Sequence, residues 1–410
     1  MLLLTTAVAI LLACTGAVLA QAAAPASLEP SKGGASDRYI VVLRDDVSQA
    51  SERVASDQAR HLGLEVRHTY RSALKGYAAR IPAERLDEVR ADPSVAYVEP
   101  DKVVKTTEQT LPYGIDLIDA DVSSTEAGNH EGEVSGVDAY IIDTGIDEDH
   151  PDLNVVEHVN FAGGKKNRDC NGHGTHVAGT VAARDNHEAV VGVAPGLPLT
   201  GVKVLNCKGS GYMSDVIKGV DWVTENADVD GPDDRLGNED DNQPAIANMS
   251  LGGGASKALD TAVRSSAASG VFYAVAAGNE SRNACKKSPA RAGRDTDEDG
   301  DGEPDPNGIV TVAATDKSDK EASFSNYGSC VDIWAPGVNV LSTKLGGGTV
   351  VYSGTSMASP HVGGTGALYL SKNTGETPGA VEKQLKADSV APGTKSKNGD
   401  RIKRIYAGKY

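Results

Sequence analysis

What this 410-residue chain lacks narrows its function before any motif is read. No basic stripe runs through it and the formal net charge is −17, which disfavours a nucleic-acid partner. The apolar run in the leader, Ala7 to Ala13, is too short to span a bilayer, and no later segment is apolar enough to try. His-Glu-x-x-His is absent, so His173 and His176 lack the pattern of a zinc peptidase and have no obvious third ligand. Asp-Thr-Gly occurs once, at residues 143–145, whereas an aspartic protease needs two copies. Ser356 does not stand in a G-x-S-x-G elbow, which excludes the α/β-hydrolase arrangement. Cysteine is scarce, with five in the chain.

The length predicts two or three functional segments rather than one domain. Residues 1–20 read as a secretory signal with cleavage near Ala20-Gln21, although no Lys or Arg precedes the apolar core. Leu11-Leu12-Ala13-Cys14 leaves lipidation of Cys14 as an alternative. Four cysteines remain beyond the signal: Cys170, Cys207, Cys285 and Cys330. An even count in an exported chain predicts two disulfides, with three pairings open. Loops of the size available would each contribute about 4 kcal/mol by chain entropy.

The acidity is local. Residues 21–105 carry 13 basic and 13 acidic side chains, so the imbalance lies wholly beyond them. Two runs, 228–241 and 295–305, hold seven acids each and one Arg between them; without them the net charge would be about −4. Run 228–241 reads as a solvated loop.

Residues 22–36 are rich in Ala, Pro, Ser and Gly and read as a flexible lead. From about residue 37 to 102 the pattern is strand (39–43), helix (47–62), two extended stretches within 64–81, helix (83–91) and strand (95–98). This is a ferredoxin-like βαββαβ unit, too small to be comfortable alone. Beyond residue 105, continuous apolar runs at 137–142, 199–205, 245–249, 271–276 and 309–313 read as strands buried on both faces of a parallel sheet. Helical patterns cover 173–183, 214–225, 257–269, 356–372 and 380–387. Right-handed crossovers then predict a three-layer α/β domain over 106–410. Ligands in such sheets sit outside the carboxyl ends of strands.

Three glycine-flanked segments supply the chemistry at that edge: Ile142-Asp143-Thr144-Gly145, Asn171-Gly172-His173-Gly174-Thr175-His176, and Gly354-Thr355-Ser356-Met357-Ala358-Ser359-Pro360. Ser356 is the candidate nucleophile, and a serine hydroxyl needs a base to remove its proton during attack. His173 is the candidate base, with an imidazole that exchanges a proton near neutrality. Asp143, at a strand end, would fix the tautomer and stabilise the imidazolium. Asn279, in Ala276-Ala277-Gly278-Asn279-Glu280, is the candidate oxyanion donor, with the Ser356 N–H at a helix start. Pro360 is expected in the first helical turn, where a missing N–H removes no bond. His176 reads as a structural helix residue. Asn248-Met249-Ser250 and Asn279-Glu280-Ser281 also match the N-glycosylation pattern, but a glycan on Asn279 would block its role.

The Asp-His-Ser order is that of the subtilisins. From about Thr106 to Tyr410 the chain resembles the proteinase K branch of that family, closest to aqualysin-type bacterial members. The resemblance is carried by Asp169-Cys170-Asn171-Gly172-His173, Leu205-Asn206-Cys207-Lys208-Gly209-Ser210-Gly211, Ser288-Pro289-Ala290-Arg291 and Asn326-Tyr327-Gly328-Ser329-Cys330. It implies a secreted, monomeric serine endopeptidase acting through an acyl-enzyme, with Cys170–Cys207 and Cys285–Cys330 as the disulfides. It also implies that Gly209, Ser210 and Gly211, and Ser250, Leu251, Gly252 and Gly253, bind extended peptide by β-augmentation. Ala276, Ala277 and Gly278 would line a primary pocket for apolar or aromatic side chains. Met213 either covers a distal pocket or simply packs. Residues 21–105, ending in Tyr97-Val98-Glu99-Pro100-Asp101, resemble the subtilisin propeptide, a folding chaperone and inhibitor removed near residue 105.

Calcium is the expected cofactor, at one to three sites. Residues 297–305 fit D-x-D-x-D-G-x-x-D, with Asp297, Asp299, Asp301 and Asp305 at ligand spacing and Gly302 at the turn. The run resembles thrombospondin type 3 and dockerin loops, but Gly308 stands where an EF-hand has its bidentate Glu. A bare solvated run is the alternative. Family resemblance adds the Asp332 carboxylate with the carbonyls of Asn307 and Ile309, and a third grouping of Asp116, Asp119 and Asp121. A non-catalytic calcium-dependent binding protein on this scaffold would show a lost triad or oxyanion residue, and none is lost.

Overall fold

The computed structural model describes residues 37–101, 109–227, 243–297 and 304–410. The chain divides into two compact units, 1–105 and 106–410. The expected leader, the flexible lead, the junction near residue 105, the acidic run 228–241, and Asp299 and Asp301 lie outside the described residues.

The first unit runs β1 (Arg38–Leu43), α1 (Ser51–Leu62), β2 (Glu65–Tyr70), β3 (Gly76–Arg80), α2 (Leu86–Arg90) and β4 (Val95–Pro100), the βαββαβ order expected. Its antiparallel sheet has the order β2-β3-β1-β4. Val41, Val54, Tyr77, Ile81 and Val89 form its core. Helix α1 starts four residues later than its apolar spacing predicts. Ala50 is extended, and Val47 reaches the core from the preceding loop. A side chain can serve a core without belonging to the helix beside it.

The second unit runs α3 (Tyr113–Leu117), β5 (Asp138–Asp143), β6 (Val155–Asn160), α4 (His173–Ala182), β7 (Leu199–Lys203), α5 (Met213–Asn226), β8 (Ala245–Met249), β9 (Gly253–Gly254), α6 (Lys257–Ala268), β10 (Val271–Ala276), β11 (Lys287–Ser288), β12 (Ile309–Thr315), β13 (Ile333–Pro336), β14 (Val340–Thr343), β15 (Thr349–Tyr352), α7 (Thr355–Lys372) and α8 (Pro378–Asp388). Seven strands make a parallel sheet in the order β13-β12-β10-β8-β5-β7-β6. Alternate residues of one strand feed opposite cores. Ile141, Phe272 and Ala274 join the core beneath α4, α7 and α8, while Ile142, Tyr273 and Val275 join the core beneath α5 and α6. Period-two alternation between two apolar layers gives an unbroken apolar run, which is why the inner strands were readable.

Edge strands β6 and β13 were not anticipated. Val155–Asn160 mixes polar and apolar residues without alternation and is half-exposed, and only its pairing with β7 makes it a strand. Two disulfides form, Cys170–Cys207 and Cys285–Cys330, with Cα atoms 4.9 and 5.3 Å apart. Among the described residues no helix is long and apolar enough to cross a membrane.

Candidate active site

Asp143 is the last residue of β5, with no exposed surface. The His173 Nδ1–H donates to its Oδ1 at 2.8 Å, and the Thr144 N–H donates to the same oxygen at 2.7 Å. With Nδ1 carrying the proton, Nε2 is the basic nitrogen. His173 opens α4 after Gly172, whose φ of +102° suits a residue without a Cβ. Gly174 lets the helix close on the strand end, because a Cβ there would lie 2.1 Å from the Gly145 carbonyl. Burial works against the charged imidazole, but the touching Asp143 carboxylate and then Asp169 outweigh it, so His173 stands above its ordinary value. His176 belongs to the helix interior. Its Nε2–H donates to the Val340 carbonyl, its ring stacks on Tyr352, and burial pushes it down to about 4.

Ser356 lies in the first turn of α7, and its hydroxyl donates to the Ser250 carbonyl at 3.0 Å. Pro360 is inside the helix rather than in its first turn, which corrects the expectation from sequence. A residue there would normally donate to the Ser356 carbonyl four positions earlier, and proline cannot. The Ser250 hydroxyl replaces that donor at 2.7 Å. Asn248 in turn donates to the Ser250 hydroxyl at 2.9 Å and accepts from Ser359 at 2.8 Å. Asn248 is fully buried, so its glycosylation pattern is inaccessible in the fold.

The loop after β10 carries Asn279. Its side-chain carbonyl accepts from the Thr355 N–H at 2.8 Å and the Thr355 hydroxyl at 3.0 Å, which leaves the amide NH₂ as the group it can offer. A cavity of about 520 Å³ is lined by His173, Ser356 and Asn279, and also by Gly209, Ser210, Gly211, Ser250, Leu251, Gly252, Ala277 and Gly278. The structure therefore brings the candidate chemical and peptide-binding residues to one place. Met213 is absent from that lining and packs half-buried against the core under α5 and α6. Sequence reading missed the Lys287–Glu280 ion pair on the cavity wall, 2.6 Å apart, and the anchoring role of Thr355. An adjacent Thr-Ser pair at a helix start was the signal available for Thr355.

The calcium candidates divide. Asp297 and Asp305 flank a loop closed by the Asp305 N–H on the Thr296 carbonyl at 2.9 Å. The Asp332 Oδ2 accepts from the Thr311 N–H at 2.8 Å, and its Oδ1 faces the Lys386 ammonium at 3.0 Å. That ammonium also meets Asp295 at 2.6 Å and Glu382 at 2.9 Å. Among the described residues, these three acids are the group drawn close enough to hold a metal. A divalent cation does not fit beside the lysine as it stands, since the tethered charge already serves all three carboxylates. Burial, with neighbouring negative charge, pushes Glu382 and Asp332 up, against the opposing pull of the Lys386 ammonium. Asn307 spends its side chain locally, accepting from the Ile309 N–H and donating to Ala292. Asp116, Asp119 and Asp121 do not converge to the same closeness, although Asp121 is pushed up by burial and by the other two.

Residues 135–406 match the model of the subtilase family, and residues 38–107 match that of peptidase inhibitor I9. An alkaline serine exoprotease A of Vibrio alginolyticus is 38% identical over 378 residues, covering 87% of this chain and 64%, just under two thirds, of that protein. An extracellular serine proteinase of a Thermus species is 39% identical over 383 residues, covering 85% of this chain and 83% of its own. The crystal structure of a cold-adapted subtilisin-like serine proteinase superposes with a TM-score of 0.58 at 38% identity, covering 74% of this chain and 99% of that one.

Proposed function

The chain belongs to the subtilase family of serine peptidases, with an I9 inhibitor unit ahead of the peptidase, and on that premise we propose that it is a secreted endopeptidase working through Asp143, His173 and Ser356. The observation that carries this reading is the 2.8 Å Asp143–His173 contact at the wall of a cavity that Ser356 and Asn279 also line. The Ser356 hydroxyl turns from the Ser250 carbonyl to His173 Nε2, gives up its proton, and Oγ attacks the peptide carbonyl carbon. The oxyanion accepts from the Asn279 NH₂ and the Ser356 N–H, two donors aimed at developing charge. The imidazolium, stabilised by Asp143, returns the proton to the leaving amine. Water then releases the acyl group by the same proton route.

Substrate backbone pairs with Gly209–Gly211 on one side and Ser250–Gly252 on the other. The small residues Ala277 and Gly278 leave room for an apolar or aromatic P1 side chain, and the Lys287–Glu280 pair neutralises its own charges there. Residues 1–20 direct export, and residues 21–105 assist folding and inhibit until the enzyme cleaves near residue 105. Calcium serves stability, held by the 297–305 loop.

The full chain with Ser356→Ala tests this reading. Casein and labelled-peptide hydrolysis should vanish, and mass spectrometry should find the precursor uncut near residue 105. Hydrolysis that survives the substitution removes Ser356 from the mechanism.

A further inference from the structure

Behind the imidazole lies a carboxylate that the chemistry above does not use. Asp169 is 3% exposed, in the turn that enters α4. Its Oδ1 accepts from the Asn171 N–H at 2.8 Å, the Gly172 N–H at 3.0 Å and the Thr144 hydroxyl at 3.0 Å. Its Oδ2 accepts from the Thr175 N–H at 3.1 Å and the Thr175 hydroxyl at 2.6 Å. All five partners are donors, so an amide in this place would turn its own NH₂ against some of them. The partners are also specific in position. Thr144 follows Asp143, and residues 171, 172 and 175 bracket His173. The Thr144 hydroxyl in turn accepts from the Gly174 N–H at 2.9 Å.

The charges around His173 come from several elements. Asp143 ends β5, Asp169 precedes α4, and His176 shares the helix. Lys203 ends β7 and donates to the Thr144 and Leu205 carbonyls at 2.5 and 2.9 Å, within the field of both carboxylates. Lys208, Glu280 and Lys287 line the cavity with His173. Asp169 does not line that cavity; it lines a separate one with Asp147 and Arg168.

We propose that Asp169 is a positioning residue for the proton transfer, holding the Asp143 strand end and the His173 helix start in register and setting a second fixed negative charge behind the imidazole. The proposal rests on reading His173 as the base. Asp169 raises His173, after Asp143, so removing its charge lowers the imidazole.

Asp169→Asn in the full chain should reduce kcat about 10- to 100-fold, the scale of a small misalignment, with KM nearly unchanged. The acid limb of its kcat/KM profile should move to lower pH, and Asp169→Glu, which restores the charge, should return the limb. The same shift should appear when His173 is titrated by NMR in a Ser356→Ala background, where no self-processing is needed. A limb and a titration that stay in place overturn the proposal. If Asp169→Asn does not accumulate as folded protein, Thr175→Val decides: it keeps the charge, and kcat should fall about tenfold at constant KM. An unchanged kcat there overturns the proposal too. Survival of hydrolysis in Ser356→Ala alone is a separate result that removes the triad reading instead.

Discussion

At the scale of the residue, the candidate site depends on which atom of each group is already committed. His173 spends Nδ1 on Asp143, Asn279 spends its carbonyl on Thr355, and Ser356 spends its carbonyl on Ser250. His173 Nε2 and the Asn279 NH₂ are left over for the proposed chemistry, whereas the Ser356 hydroxyl must leave the Ser250 carbonyl to take part. His173 stands above the ordinary imidazole value of 6.5, and its neutral form is the base, so activity should fall on acidification with a midpoint above 6.5. A kcat/KM profile measures this directly. Ser250→Ala leaves the part-buried Ser356 carbonyl without that donor and should cost about 1 kcal/mol in denaturant unfolding. Pro360→Ala supplies an N–H to that carbonyl and should recover part of the loss in the double variant. Strict additivity would show that the two residues do not share the carbonyl. The candidates Asp143, His173, Ser356 and Asn279 could be picked out because each stands in a short glycine-flanked motif. Asp169, Thr355 and the Ser250 hydroxyl bond could not, because their roles lie in partners up to 106 residues away.

At the scale of the element, α8 is pinned to the sheet by charge. Lys386 on α8 meets Asp295 and Asp332 from two distant places in the chain, and Glu382 one turn earlier on α8 itself. Removing one partner of such a cluster strands the others, so Lys386→Met should lower unfolding stability by about 3 kcal/mol or more. No sequence pattern announces this, since Lys386 lies 54 residues from Asp332 and 91 from Asp295. Inner strands were legible because two-sided burial demands an unbroken apolar run. Edge strands β6 and β13 were not, because an edge is defined by its neighbour rather than by its own composition. The start of α1 was misplaced for the same reason, as Val47 serves the core from a loop.

At the scale of the whole molecule, calcium should act on stability and leave turnover alone. Chelation should lower Tm while kcat on a short peptide, measured below the transition, stays constant. Asn at Asp299 and Asp301 should abolish the calcium-dependent rise in Tm, and Asp332→Asn should leave that rise in place, because Lys386 already serves Asp332. A Tm indifferent to calcium contradicts the loop assignment. Local composition and motif order by themselves determined the two-part architecture, the buried parallel sheet and the choice of four candidate chemical residues. These follow from burial and backbone geometry, which act on neighbours in the chain. Tertiary structure alone decided which atoms of those residues remain unspent, that an ammonium faces the acids around Asp332, and that Asp169 ties Asp143 to His173. A charge or a hydrogen bond is settled by distance in space, and folding sets those distances between residues that the chain keeps far apart.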